Sequence, residues 1–553
     1  MSSPSSSAPS SPSIFAPSHP WPLDLPALVR FCLSDPSTQP WINSAANRFF
    51  APSPAGEGGV EVKRTEEGCW ALLPAEWQSY FEVVEDEEER MAVLKDLAMG
   101  ERADFPPSLQ DYLNRCRALS LDRTCSPAPV LSFPPPSPDQ PSPPRPYEAG
   151  ERENEFEEPV MEKVKGVNVQ NAKRSGKSPK KEHEVRQLSR LVRQLQSEAP
   201  LTHCVDVGSG RAHLSRALAC PPLNLHLLAI DWSDSQKTGA ERLDLLRSAA
   251  DLGPTSGSLT HEVASLDADG VEDALRRWPP KKEEEEGDED GGEEDPPPAL
   301  LVALHACGDL TPAALEAFVR ADASDPRRAG RGAKAVFVGC CYNLLTPSRF
   351  PLSSLVRSLL PSTPGGGGEM TREHLRLTPQ SPATWHLFPS STSAFLSATR
   401  KIAFRARFEA ELEAAHVGTP DTRRVGRIAE VRSWTEYRAR AVAKWDYGRT
   451  VLEPGAVPAL RFGRDKEEEE REWRTALWMM RVWWTLRSWL GPPMESLCVV
   501  DRFAYLCEGL RHEWEEDAEE EEEGGRKTRR RVEVVNVFDQ AKDSPRNLAL
   551  VVR

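Results

Sequence analysis

The sequence predicts an α/β fold built on a doubly wound parallel sheet, with one helical region ahead of the sheet and another inserted near its end. Three observations predict it. Between His203 and Val338, short apolar runs alternate with segments of helical periodicity, the rhythm of βαβ units. The first run ends in a glycine turn, Val205-Asp206-Val207-Gly208-Ser209-Gly210. The chain closes with two more apolar runs, Val532 to Phe538 and Asn547 to Val552, joined by Asp539 to Arg546, which read as a terminal hairpin with one strand antiparallel to the rest.

In chain order, residues 1–20 are Ser/Pro-rich and are expected to be disordered. Residues 21–125 read as a helical N-terminal region, with Trp41, Trp70, Trp77 and Phe81 as core anchors and Met91, Val93, Leu94 and Leu97 at helical spacing. The stretch 126–165 opens on a second Pro/Ser tract and reads as a linker. The core spans 166–393. A helix around His183 to Glu198 leads into the strand His203 to Val207, and Arg211 to Cys220 reads as the next helix. The strand Leu225 to Asp231 and the helix Gln236 to Ala250 follow, then a weaker strand, Leu259 to Leu266. An acidic loop, 281–298, expected to be disordered, separates these from the strand Ala299 to His305, the helix Thr311 to Ala321 and the strand Ala333 to Val338. Residues 394–525 read as a helical insertion rich in Arg and Trp, and 526–553 as the strands that complete the sheet.

Bulk composition narrows the class. Of 553 residues, 50 are proline and 39% are hydrophobic, too few for the whole chain to pack as one core. The net charge of −16 is local: ten carboxylates lie in Glu283 to Asp295 and eight in Glu515 to Glu523, and the remainder is near neutral. The acidity therefore argues neither for nor against a nucleic-acid partner. Eleven cysteines without a Cys-x-x-Cys pair exclude a disulfide scaffold and a zinc ribbon. The start, Met-Ser-Ser-Pro-Ser-Ser-Ser, does not read as a signal peptide, and no run approaches the roughly 20 apolar residues of a membrane span. An intracellular protein, cytoplasmic or nuclear, with no membrane partner is expected.

A strand, a Gly-x-Gly turn and a helix present backbone N–H groups to a ligand at the C-terminal edge of a Rossmann-like sheet. A dinucleotide site wants a third glycine where this chain has His213, a large side chain, so that reading is disfavoured. Asp206, two residues before Gly208, with Ser209, Gly210 and the degenerate Ala212, fits a cofactor of the S-adenosylmethionine type, which has no phosphate and needs no basic cradle. Asp231 ends the second strand, where a carboxylate accepts hydrogen bonds from both ribose hydroxyls. Asp267, after the third strand, is placed to approach an adenine amino group.

His305-Ala306-Cys307-Gly308-Asp309 follows the fourth strand at the edge that borders the ligand crevice. His305 is a candidate base, Cys307 a candidate nucleophile, and Asp309 a candidate cap for the next helix; the bland alternative is that His305 and Cys307 only shape the cofactor pocket. After the fifth strand, Tyr342 is a candidate catalytic residue and Asn343 a substrate contact, both expected to face the crevice, with Cys340 buried. Adjacent Cys340 and Cys341 are not expected to share one tetrahedral ion, so no metal is assigned. Lys180, Lys181 and His183 are candidate substrate contacts, with a solvated helix start as the alternative, and the basic run Arg526 to Arg531 is a candidate contact to RNA phosphates. The Asn/Asp-Pro-Pro-Tyr motif of adenine amino methylation is absent after the fourth strand.

Taken together, the segments Ser178-Pro179-Lys180-Lys181-Glu182-His183-Glu184, Val205 to Arg216, Ala303 to Leu310 and Val338-Gly339-Cys340-Cys341-Tyr342 resemble one family. So do Glu495-Ser496, Asp501 to Glu508 and Ser544-Pro545-Arg546-Asn547. The pattern resembles the family of methyltransferase-like protein 25 and the ribosomal RNA adenine dimethylase domain-containing protein, from about residue 170 onward, and Pro107-Ser108-Leu109 and Arg117-Ala118-Leu119 also fit. The resemblance implies a class I methyltransferase sheet and a methyl donor held at Asp206, Gly208, Gly210 and Asp231. It leaves the acceptor open, RNA or an RNA-associated protein. The competing expectation is a non-catalytic interaction protein that keeps the fold as a scaffold.

Overall fold

The computed structural model describes residues 23–44, 46, 49–53, 61–63, 68–124, 128–133, 179–199, 201–245, 257–278, 299–324, 333–360, 368–414, 417, 426–445, 465–510, 530–540 and 546–553. The N-terminal Ser/Pro segment, the acidic loop and most of the Pro/Ser linker lie outside them, as do positions 526–529 of the basic run.

Alternation along the strands explains the sheet. In β4 (His203–Val207), β5 (His226–Asp231), β7 (Ala299–Ala306) and β8 (Lys334–Gly339), successive side chains enter opposite cores. Val205, Val207, Leu228, Ile230, Leu301, Ala303, Ala335 and Phe337 face one core, while Cys204, Leu227, Leu300, Val302, Val336 and Val338 face the other. A strand buried on both faces reads as a continuous apolar run, as these do. β6 (Leu259–Val263) is half exposed, the physical reason its sequence signal is weak.

The eight-stranded sheet has the order β3 (Leu131–Phe133), β9 (Val532–Asn536), β10 (Leu548–Val552), β8, β7, β4, β5, β6. β4 through β8 run parallel to one another, and β10 is antiparallel to both β8 and β9. The expected terminal hairpin is therefore present. One edge was not expected: Leu131–Phe133, inside the stretch read as linker, forms β3 and pairs antiparallel with β9. Three residues with Leu131 on the core side carry too little period to register as a strand, and the sheet edge supplies what their own sequence lacks. A separate hairpin joins β1 (Ala51–Ser53) to β2 (Glu61–Lys63).

The helical N-terminal region and the helical insertion, far apart in sequence, share one core. The helix Lys466–Ser488 and the residue after it donate to N-terminal carbonyls: Trp478 Nε1 to Phe81 O at 3.0 Å, Arg487 Nε to Trp41 O at 2.8 Å, Trp489 Nε1 to Leu97 O at 2.9 Å. The helix Gly491–Gly509 then passes through the middle, buried along nearly all its length. Its first turn, Gly491-Pro492-Pro493, suits a helix start, and a Cβ at Gly491 would stand 2.4 Å from Gln380 O.

That helix carries buried polar anchors. Asp501 accepts from Leu352 N at 3.0 Å, Ser353 N at 3.0 Å and Ser353 Oγ at 2.9 Å. Glu508 accepts from Ser354 N and Leu355 N, both at 2.8 Å, at the start of the helix Ser354–Leu359. Ser496 Oγ accepts from Leu121 N at 2.9 Å, and Glu495 pairs with Arg123 at 3.0 Å. The Glu495-Ser496 and Asp501-Arg502 motifs are thus internal fasteners. Replacing Asp501 by Ala strips three donors of their buried acceptor. The expected loss is about 3 kcal/mol or more, read as a lower urea midpoint, with Asp501→Asn costing less because one acceptor oxygen remains.

Candidate functional site

The strand order reverses between β4 and β7, so the crevice beyond their C-terminal ends is the topological switch point of the sheet. Asp206, the glycine turn, Asp231, His305 and Cys307 gather on that edge, and the start of the helix Pro179–Glu198 packs over it.

The turn is shaped by left-handed backbone. Gly208 has φ +72° and Gly210 φ +55°, and Ala212 takes φ +53° where the fuller glycine pattern would place a residue without Cβ. Because Ala212 is left-handed, the next helix begins at His213, two residues later than the sequence suggests. Gly208 N and Ser209 N donate to Ile230 O at 2.9 and 3.1 Å, and Gly210 N donates to Asp231 Oδ2 at 2.9 Å. Asp231 Oδ1 also accepts from Ser233 N at 3.0 Å. The carboxylate read as a ribose partner therefore also clamps the turn. Trp232, the next residue, is 74% exposed and offers an aromatic face beside that carboxylate; sequence reasoning passed over it, although its adjacency to Asp231 was visible.

Asp206 is 2% exposed and accepts from Ser215 Oγ at 2.5 Å. Burial pushes its carboxyl up to about 6; Ser215 and Lys181 oppose the shift, and the Asp231 charge adds to it. Lys181 is itself held below the usual ammonium range by burial, against the pull of Glu184, Asp206, Cys340 and Cys307. Of the candidate substrate contacts, Lys181 thus faces the crevice. Lys180 lies 3.9 Å from Glu184 Oε1 on the exposed side, His183 Nε2 lies 3.1 Å from Gln187 Nε2 along the helix, and Asn343 is exposed on its loop.

His305 occupies a bulge in β7, at the register shift between Leu304 and Ala306, with φ +63°. A left-handed non-glycine residue is strained, and a bulge beside a site re-aims a side chain. Here it carries His305 to Glu184, with Nε2 2.8 Å from Oε2. Burial would raise the Glu184 carboxyl, but the His305 hydrogen bond and Lys180 and Lys181 hold it below the ordinary range. Glu184 was not singled out from the sequence. Its signal was there: 184, 188, 191 and 195 share one helix face, and the last three are leucines in the core.

Two expectations are corrected, those for Tyr342 and Asp309, and Asp267 carries a structural task as well. Tyr342 does not face the crevice: it is 4% exposed, lies under the Arg502 guanidinium at 4.9 Å, and burial raises its phenol above the range of use. Asp267 is exposed and caps the helix Ala268–Arg277 by accepting from Gly270 N at 2.9 Å. Asp309 does not cap its helix but accepts from Thr346 N and Oγ1 at 2.7 and 2.6 Å, fastening the loop after β8. Within the basic run, Arg530 is buried against Asp322 at 2.9 Å, and Arg531 lies 3.8 Å from Glu533. Arg531 also exchanges backbone hydrogen bonds with Arg553, so both residues help to close the sheet.

Cys307 Sγ lies 3.0 Å from Cys340 Sγ, which lies 3.4 Å from Cys341 Sγ. Hydrogen bonding from Cys340, and then from Cys341, with the charge of His305, brings the Cys307 thiol down to about 6 despite its burial, while the same contact drives Cys340 upward.

Residues 180–348 match a family model described as a methyltransferase domain, a segment that contains Lys181, Glu184, Asp206, Asp231, His305 and all three thiols of this edge. The match supports a methyltransferase, and the mixed α/β architecture around the eight-stranded sheet is a Rossmann-like methyltransferase fold. No solved structure matches the chain.

Two measurements test this edge. Because the folded Asp206 value lies above the ordinary value of roughly 3.9, the folded state holds an extra proton between about pH 4 and 6. Its contribution to stability is most favourable below that window and falls as pH rises through it, by up to about 3 kcal/mol. Denaturation midpoints of the unmodified protein and of Asp206→Asn should converge at the acid end and separate toward pH 7, with the variant gaining. Brief iodoacetamide treatment at pH 7 should label Cys307 ahead of the buried Cys116 and Cys498, and the preference should fade by pH 5 as the thiolate is protonated.

Proposed function

We propose that this chain is an S-adenosylmethionine-dependent methyltransferase whose acceptor is RNA or an RNA-associated protein. The observation that carries the reading is the clamp of Asp231 on the glycine turn at the switch point, inside the segment that matches a methyltransferase domain. The charge at the site also discriminates between cofactors. Two carboxylates, Asp206 and Asp231, stand close enough for the Asp231 charge to raise Asp206, a poor setting for a pyrophosphate and a good one for a ligand with sulfonium and ammonium charges. The resemblance to the methyltransferase-like protein 25 family is in keeping with this.

Asp231 would accept from the ribose hydroxyls with the lone pairs left beyond Gly210 N and Ser233 N, and Trp232 would offer its face to the purine. Asp206 and the 208–210 backbone would border the methionine end. The cofactor supplies an activated methyl group; the chain's part is to hold an acceptor in line with it and to remove a proton. His305 is equipped for the second task. With Nε2 donating to Glu184, Nδ1 carries the lone pair, and the carboxylate behind the ring stabilises the charge that forms on protonation.

Calorimetry should detect S-adenosylmethionine binding to the full chain, and Asp231→Ala should weaken it by about a hundredfold, the loss of two hydrogen bonds to a charged group. Labelled donor incubated with total cell lysate, with and without ribonuclease, then tests transfer. Undetectable binding by the unmodified protein sinks the cofactor reading and favours a scaffold, whereas binding without transfer to any macromolecule sinks only the enzymatic one.

A further inference from the structure

Three thiols converge at the ends of β7 and β8, and the cofactor reading uses none of them. The Sγ atoms of Cys307, Cys340 and Cys341 all lie within 4.8 Å of one another. Two separate loops bring them together. After the bulge at His305 the chain turns at Gly308, with φ +56°, and Gly308 N donates to Cys341 O at 3.3 Å. A Cβ at Gly308 would stand 2.8 Å from Leu344 O, so the two loops meet backbone to backbone.

We infer that Cys307, Cys340 and Cys341 form a three-thiolate site for Zn2+ at the rim of the crevice. Thiolates about 2.3 Å from a tetrahedral Zn2+ stand about 3.8 Å apart. The pairs at 3.0 and 3.4 Å lie a little inside that spacing, and no pair is more than 4.8 Å apart. Sulfur ligation selects a thiophilic ion over Mg2+ or Ca2+. Three ligands leave the fourth position open, and Cys307 and Cys341 are half-buried, so that position faces the crevice rather than the core. Lys181 and Arg546 lie within electrostatic reach of the sulfurs and offset the negative charge of three thiolates around a divalent ion. From sequence alone, adjacent Cys340 and Cys341 are not expected to share an ion. The turn into the short helix Tyr342–Leu344 brings both sulfurs to one side.

The test uses the full chain, reduced with a phosphine so that no added thiol competes. Titration with Zn2+ against a chromogenic chelator should show one tight equivalent that Cys307→Ser, Cys340→Ser and Cys341→Ser each weaken tenfold or more and Cys116→Ser leaves unchanged. Co2+ should give a thiolate charge-transfer band that the triple serine variant loses. A readout without variants guards against misfolding: saturating Zn2+ should protect Cys307 from iodoacetamide, mapped by mass spectrometry. The inference is overturned by uptake that survives in the triple variant, by the absence of a charge-transfer band, or by alkylation of Cys307 that Zn2+ does not slow. Recovery of a Cys307–Cys340 disulfide from protein that takes up no Zn2+ would also overturn it and leave the pair as a redox couple. None of these readouts involves the methyl donor, so failure here leaves the cofactor reading standing.

Discussion

The buried carboxylate of Asp501 is the constraint on which the helical half of the molecule depends. A charge without water is tolerated only when its hydrogen bonds are made, and this one draws Leu352 and Ser353 to the helix Gly491–Gly509. The same helix takes Leu121 N on Ser496, Arg123 on Glu495 and the start of another helix on Glu508. Two stretches distant in sequence, 121–123 and 352–355, therefore assemble around one rod. Arg502 extends the arrangement to Tyr342, three residues beyond the last strand of the parallel sheet. The helical half is in this way a brace for the loop that carries Cys340 and Cys341.

Burial also organises the crevice, with a different result. Asp206 and Asp231 lie where water is scarce and the Asp231 charge bears on Asp206, so Asp206 is displaced toward neutrality while Asp231 secures the glycine turn. Lys181, His305 and Glu184 form a second set, tied by one short hydrogen bond and by the charge of the lysine. The two sets meet through Lys181, which both carboxylates Glu184 and Asp206 attract. A helix that enters over the C-terminal edge of the sheet thus contributes as much to the crevice as the strands do.

The sheet was legible because its strands are buried on both faces and read as plain apolar runs, bounded by a glycine turn and by Asp231. Backbone irregularity was less so. Nothing in Leu304-His305-Ala306 announces a bulge, which arises from pairing with β8, and it is the bulge that aims His305 at Glu184. Tyr342 shows the reverse. An aromatic residue just past a strand end suggests an exposed catalytic group, and packing into the shared core, with Arg502 from 160 positions away over its ring, makes it a core residue.

By itself the sequence determined the α/β class, the alternation of strands and helices between His203 and Val338, the terminal hairpin and the pairing of a glycine turn with an acidic residue 21 positions on, because each rests on local period or spacing. Tertiary structure alone decided which polar groups are functional candidates and which are fasteners. Asp309, Asp501 and Arg530 are chemically fit for a site, yet each is committed to a loop, a buried anchor or a buried pair. Glu184, given no role from the sequence, stands at the crevice, and Cys341, set aside there as a metal ligand, stands with two other thiols. The reason is physical: a polar side chain's role is set by its partners and its access to water, and both are properties of residues brought together across the chain.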